Sequence, residues 1–371
     1  MQYDAAITAA ALTTTLTSNT ALSSSTVEAI STILNLSNAS ATLPVATSTG
    51  SNLSVNFDAN GQLIAPKVTF FDDLGAAGTN VTVSIPAIVA NSSAIVFNTA
   101  ANVTAVIGNS TAVSPTAAVE GANAGRVIVS GSGNDTITVT DNVNTHIDAG
   151  AGNDNITTAG GNDTIVLNGG TNTANAGAGN DVIYAGNGVD TINGGAGFDV
   201  VNVGNVANYT VSVSGSNVVL NSSNAGQATL TGVEFVASVN GTETLAIVGS
   251  QNEGTAIRMY EALLGRDADA AGTQYFTGEV QAGASLTGIA NIFLGSAEYT
   301  AAHSSQGDAA FINSVYQGAL GRAATTDLEG LVFWAQQLAT GHSRADVVVG
   351  IVGSTEAQAH DTGVIVVTGQ V

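Results

Sequence analysis

The chain has 371 residues, with 28 acidic side chains against six basic ones and a formal charge of −22, a balance that argues against nucleic acid and anionic membranes as partners. Cysteine is absent, which removes disulfides, thiol catalysis and Cys-rich zinc sites. The length suggests two or three domains, and no run approaches the ~18 apolar residues of a membrane span.

Residues 1–129 open on Met1-Gln2-Tyr3-Asp4, which has no basic residue and does not read as a cleaved secretory signal. A helix is expected over Ser25–Leu36, apolar at Val27, Ile30, Ile33 and Leu34. Short strand-like runs follow at Leu53–Phe57, Val68–Phe71, Val81–Ile85, Ile95–Phe97 and Val103–Ile107, and Arg126–Val129 leads into the next segment. Strands separated by polar turns fit either a β-sandwich or a solenoid.

From Ser130 to Asn202 a nonapeptide of pattern G-G-x-G-x-D-x-U-x recurs, with U a large apolar residue. Its cleanest copy is Gly194-Gly195-Ala196-Gly197-Phe198-Asp199-Val200-Val201-Asn202, and near copies begin at Ser130, Ala149, Thr158, Ala176 and Ala185. Starts from Ala149 onward differ only by nine or eighteen, with a degenerate copy at Leu167–Asn175 that puts Asn172 where Asp is expected. A flexible linker has no reason to hold that phase. Each nonapeptide is expected to make a turn and a three-residue strand, so that two complete one flattened coil. Asp163, Asp181 and Asp199 then line one flank of a parallel β-roll, and Asp154, Asn172 and Asp190 the other.

Stacked turns of this composition suit calcium, a hard cation that takes six to eight oxygens, here carboxylates from two coils and backbone carbonyls. The candidate metal-site residues are Gly131, Gly133 and Asp135; Gly150, Gly152 and Asp154; Gly161 and Asp163; Asn172; Gly177, Gly179 and Asp181; Gly186, Gly188 and Asp190; and Gly195, Gly197 and Asp199. The glycines are expected to supply positive φ and close backbone approach. Ile137, Ile156, Ile165, Ile183, Ile192 and Val201 hold the U position and should form a thin apolar ladder. Without calcium the stacked carboxylates repel and so small a core cannot order the turns, so the segment should be disordered in chelator. The copies at Ser130 and Ala149 are nineteen apart, so Asp135 should reach Asp154 only through a local bulge. Asn172 is a neutral ligand, and its flank should bind less tightly.

Residues 130–202 resemble the RTX (repeats-in-toxin) family. The resemblance implies folding outside the cell, where calcium is abundant, and export by type I secretion through an uncleaved C-terminal signal. The apolar tail Gly363-Val364-Ile365-Val366-Val367, within residues 362–371, is consistent with such a signal. It implies no single activity, because toxins, proteases, lipases, adhesins and surface-layer proteins carry the roll.

Residues 203–250 alternate apolar and polar residues, as in Tyr209–Val213 and Leu230–Phe235, and resemble the strand cap that follows RTX rolls. Residues 251–361 read as helical and contain a duplication: Met259–Arg266 recurs as Val315–Arg322, Gly272…Tyr275-Phe276 as Gly330…Phe333-Trp334, and Gly295–Glu298 as Gly353–Glu356. This resembles a tandem helical domain of uncharacterised function found in RTX and surface-layer proteins. Its aromatics suit a helical core, while a sharper reading makes Arg266, Arg322, Tyr275 and Trp334 a surface that grips sugar or a neighbouring subunit.

No H-E-x-x-H or G-x-S-x-G occurs, and Lys67 lacks the glycine of a phosphate loop. His146, in a degenerate copy at Thr140–Asp148, should face outward from the roll. The chain therefore reads as a non-enzyme of mainly β, multi-domain architecture: an N-terminal β-rich segment, a calcium-binding parallel β-roll with several ions, and a C-terminal all-α domain. The expected function is a secreted structural protein that assembles with copies of itself into a surface layer, matrix or biofilm filament. The alternative is a calcium-dependent adhesin that binds cell-surface polysaccharide.

Overall fold

The computed structural model describes residues 6–18, 24–49, 52–85, 87–108, 125–241, 243–303 and 306–368, so Met1–Asp4 lie outside the described residues. They fall into two compact units, one drawn from residues 1–204, 208–212 and 217–233, the other from 205–207, 213–216 and 234–371.

The first unit begins with helices α1 (Ala9–Ser18) and α2 (Ser24–Ile33). Strands follow at β1 (Val45–Thr49), β2 (Val68–Asp72), β3 (Asn80–Ser84), β4 (Ala94–Asn98), β5 (Asn102–Ile107), β6 (Arg126–Val129), β7 (Thr136–Val139) and β8 (Thr145–Asp148). The series continues through β9 (Asn155–Thr157), β10 (Thr164–Val166), β11 (Gly169–Asn175), β12 (Val182–Tyr184), β13 (Asn187–Asn193) and β14 (Val200–Val203), then β15 (Asn217–Ser222) and β16 (Gly226–Thr231). From β2 the chain steps alternately between two sheets. One stacks β1, β2, β4, β6, β8, β10, β12 and β14 in parallel. The other stacks β3, β5, β7, β9, β11, β13 and β16 in parallel, with β15 antiparallel to β16.

This pairing separates the two alternatives for residues 1–129: β2 to β5 are solenoid coils whose strands continue into the roll. Their inward side chains, among them Ile95, Phe97, Val103, Ala105 and Ile107, are buried, and Phe71 stacks on Phe97 at 5.1 Å. The outer face of the first sheet is apolar too, at Val45, Val68, Ala94, Val96, Val127 and Val129, and it is covered by Leu12 and Leu16 of α1, Ile30 of α2 and Leu34 just after α2. Helix α1 was not anticipated, since its Thr-rich run has low helix propensity. Its hydroxyls bond back to carbonyls one turn earlier, as Thr13 does to Ala9 at 2.8 Å.

In the second unit, β17 (Phe235–Ser238) pairs antiparallel with β18 (Thr244–Val248). Helix α3 (Gln251–Met259) starts at a capping box between Ser250 and Glu253 and runs through a wider π turn over Tyr260–Leu264. There follow α4 (Ala270–Gln281), α5 (Leu286–Gly295), α6 (Ala297–Ala302), α7 (Asp308–Leu320), α8 (Leu328–Ala339), α9 (Arg344–Val352) and α10 (Thr355–His360). The tail forms β19 (Val364–Val366), parallel to β18, with Ala246 opposite Val364. Residues 203–250, expected as one cap, contribute to both units.

The duplication is structural. Gly265 and Gly321 end their helices with φ of 66° and 63°, the left-handed stop that glycine permits. Arg266 then pairs with Glu298 at 2.8 Å and lies 4.9 Å over the Tyr260 ring, while Arg322 pairs with Glu356 at 2.6 Å and lies 5.2 Å over Tyr316.

Candidate metal centre

Between β7 and β14 the apolar ladder has the expected form: Ile137, Ile156, Ile165, Ile183, Ile192 and Val201 are all fully buried. Register holds across coils, with Ile165 opposite Ile183 and Ile183 opposite Val201. Fixing these side chains inward fixes the turns at the two flanks, where the acidic residues lie.

Each of those turns clamps the coil before it. Asp163 Oδ1 accepts the Thr145 amide at 2.7 Å, Asp181 Oδ1 accepts that of Asp163 at 2.7 Å, and Asp199 Oδ1 accepts that of Asp181 at 2.8 Å. On the other flank Asp135 Oδ1 accepts from Val103, Asp154 Oδ1 from Asp135 and Asn172 Oδ1 from Asp154, at 2.7, 2.8 and 2.9 Å. The Asn172 amide also donates to Asp190 Oδ1 at 3.0 Å and to the Leu167 carbonyl at 3.2 Å.

A second ladder runs the opposite way and was missed in the sequence, although its signal is the Asn that precedes Asp in four copies. Asn144 Oδ1 accepts the amide of Asn162, Asn162 that of Asn180, and Asn180 that of Phe198. On the other flank Asn102, Asn134 and Asn153 accept the amides of Asn134, Asn153 and Thr171.

With one carboxylate oxygen used in stacking, the second is what matters for a cation. Oδ2 of Asp154, Asp163 and Asp181 is buried without a hydrogen-bond partner. By contrast, Ser130 Oγ donates to Asp135 Oδ2, and the Gly186 amide donates to Asp190 Oδ2 at 3.2 Å. Burial pushes the carboxyls of Asp154 and Asp163 up to about 7 and that of Asp181 to about 6, and raises those of Asp135 and Asp190. Buried anionic oxygens with no donor are an arrangement that a hard cation satisfies, so the residues fit calcium. Among the described residues no three acidic or imidazole side chains converge on one point, so turn carbonyls must supply most of the oxygens.

The turn glycines divide by cause. Gly150, Gly152, Gly161, Gly177, Gly179, Gly188, Gly195 and Gly197 have positive φ, as does Gly170 of the degenerate copy, whereas Gly131, Gly133 and Gly186 do not. The expectation of positive φ is thus corrected for those three, where close approach is the constraint: a methyl on Gly131 would strike the Thr99 carbonyl. At Gly179, with φ of 134°, both constraints act, since a methyl would also strike the Gly161 carbonyl one coil earlier.

The extra residue between the copies at Ser130 and Ala149 lies in the turn from β7 to β8, leaving Asp135 stacked on Asp154. Arg126, almost fully buried, holds that longer turn through a two-pronged pair with Asp141 at 2.6 and 3.2 Å. His146 lies on the outer face of the roll, in register with Val127, yet that position does not leave it open to solvent. Its neighbour Ile147 faces the roll interior, but α2 covers His146, which is 5% exposed. Thr26 on α2 lies 3.0 Å from His146 Nε2 and donates to Asp148 Oδ2 at 2.7 Å. Burial lowers the imidazole pKa, with Asp148 opposing the shift.

A family model for the RTX calcium-binding nonapeptide repeat (four copies) matches residues 139–174 and 166–201. A model for a domain of unknown function (DUF4214) matches residues 235–303 and 290–360, the two halves of the helical duplication. No curated protein and no solved structure matches the chain. RTX nonapeptide repeats bind calcium ions and are typical of secreted proteins, and among the described residues no helix is long and apolar enough to cross a membrane. Repeat phase, stacked carboxylates and both family models agree: the chain carries RTX calcium-binding nonapeptide repeats and, C-terminal to them, a duplicated domain of unknown function.

Proposed function

We propose that the chain is a secreted, calcium-stiffened structural protein whose copies assemble into a surface layer or extracellular filament. The observation that carries this reading is the set of buried, unpartnered Oδ2 atoms, at Asp163 and Asp181 on one flank and Asp154 on the other, inside a solenoid that runs on through the N-terminal coils. Calcium there turns repulsion between coils into cross-linking, and so converts a chain that can be exported unfolded into a stiff rod. The ligands are Asp154, Asp163, Asp181 and Asp199 with the carbonyls of the glycine turns; Asp135, Asn172 and Asp190 contribute less, because hydrogen bonds already engage them.

Type I export fits the tail. Strand β19 is available to a transporter only in the unfolded chain, because folding pairs it with β18. No catalytic motif supports an enzyme. Polysaccharide is the less favoured partner, since Arg266 and Arg322, the cations of a sugar-gripping surface, are tied to Glu298 and Glu356.

The test is negative-stain electron microscopy of chelator-treated protein before and after millimolar calcium, with circular dichroism on the same samples. Filaments or sheets that appear with calcium support assembly. A folded, dispersed monomer overturns it and turns attention to the adhesin reading, probed by retention of the chain on lipopolysaccharide or capsule.

A further inference from the structure

The two sheets of the solenoid have different outer faces. On the first, α1 and α2 cover the early coils, and the outward positions include Asp72, His146, Asp148 and Tyr184. The second carries a threonine row in register from coil to coil: Thr82 lies opposite Thr104 and Thr104 opposite Thr136, then, past Asn155, Thr173 lies opposite Thr191 and Thr191 opposite Thr229. Every outward side chain of β3, β5, β7, β9, β11, β13, β16 and β15 is Thr, Asn, Ser, Gln or Val, and all are exposed or half-buried. Val106 and Val189 stand at 58% and 48% exposure. One repeat thus accepts charged and aromatic residues outward on one sheet and shows none on the other, so the roll itself does not dictate the uncharged face.

We propose that this face is the contact for a second copy of the chain, the two packed face to face about a twofold axis in the plane between them. The contact rests on the assembly reading above and names the surface that assembly uses. Charge selects the partner. The molecule carries a formal charge of −22, and two identical acidic molecules approach at least electrostatic cost where neither presents a carboxylate. Depletion of charge is also what marks the core of a protein interface. Period selects the same partner, because strands about 4.8 Å apart recur along the face and another copy carries the same repeat, so row meets row along its whole length. Branching at Cβ restricts each threonine rotamer, and a hydroxyl both donates and accepts, so facing rows can satisfy one another. These strands, about five residues broad, make a face of roughly 600 Å², and two copies bury about 1,200 Å², enough for a specific contact. A glycan is less well served, since the face offers no ring to stack on a sugar and no cation for an anionic polymer.

The test uses the full chain with calcium, measured by sedimentation velocity over a range of concentrations. Thr173→Glu puts a carboxylate near the middle of the face and should weaken the dimer by at least about tenfold, while Thr164→Glu, the corresponding position on the other sheet, should leave it unchanged. Circular dichroism reports whether each variant keeps its fold. Because the chain has no cysteine, Thr173→Cys adds an independent readout: a short bismaleimide linker should join two copies there and not at Thr164→Cys. Parent and Thr173→Glu associating equally, with no linkage at Thr173→Cys, would overturn this contact while leaving assembly through another face intact. A parent protein that stays monomeric throughout would overturn both, and its retention on a neutral polysaccharide, lost in Thr173→Glu, would assign the face to a glycan instead.

Discussion

Asn162 and Asp163 are adjacent in sequence and clamp opposite neighbours: Asn162 Oδ1 accepts the Asn180 amide one coil later at 2.9 Å, and Asp163 Oδ1 accepts the Thr145 amide one coil earlier at 2.7 Å. Each of the four turns that carry the Asn-Asp pair is thus tied in both directions by short side chains. Asn162→Ala should cost about 1 kcal/mol of roll stability with calcium present, and Asn162→Asp, which keeps an acceptor, distinctly less. Urea unfolding measures both, and equal losses would show that the acceptor is not what matters.

The carboxylates should not contribute equally to calcium binding. Asp181 keeps a buried, unpartnered Oδ2, while Asp190 accepts from Asn172 and from the Gly186 amide. Calorimetric titration should therefore show a loss of about tenfold or more in affinity for Asp181→Asn and a much smaller change for Asp190→Asn. The reverse order would contradict the ranking.

Acidity should act oppositely on the metal-free and metal-bound states. The folded carboxyls of Asp154 and Asp163 lie at about 7 and that of Asp181 at about 6, against an ordinary value of 3.8. Groups raised on folding hold protons more tightly in the fold, so their stabilising effect is full below 3.8 and is lost as pH rises through about 6 to 7. In chelator, the roll's β signal in circular dichroism should accordingly weaken from about pH 5 to pH 8. Calcium competes with those protons, so its affinity should strengthen over the same interval. A flat response in both arms would mean that these carboxyls are not the titrating ligands.

Helix α2 should depend on one hydroxyl. Thr26→Val keeps the shape but removes the donor to Asp148 and the partner of His146. The loss should be about 1–3 kcal/mol, read as faster amide exchange in α2 with the calcium turns intact. Unchanged exchange would show that apolar packing alone holds the helix.

Gly179→Ala should block calcium-induced folding of the roll, because the methyl meets both a positive φ and the Gly161 carbonyl. Gly204→Ala, with open space around it, is the control and should change stability by less than about 0.5 kcal/mol. Normal folding of the first variant would mean that the coils can separate without losing their register.

The roll was legible because its code is local. A nine-residue period fixes which residue turns, which points inward and which carries the carboxylate, and the phase survives one degenerate copy. The helical duplication was legible for the same reason, since Gly265-Arg266 and Gly321-Arg322 repeat a stop and a cation in order. The early coils were not. Val68 lies opposite Ala94, and Ala94 opposite Val127, through connections of unequal length, so no period marks them. His146, Thr26 and Asp148 were hidden as well, because a helix more than a hundred residues away in sequence decides whether that outer face is wet or buried. The sequence by itself determined the repeat, its inward ladder and its calcium-binding character, all set by neighbours within a coil. Only the tertiary structure decided which carboxylate oxygens stay unpartnered, since that depends on hydrogen bonds arriving from residues such as Ser130, Gly186 and Asn172, whose reach no spacing rule encodes.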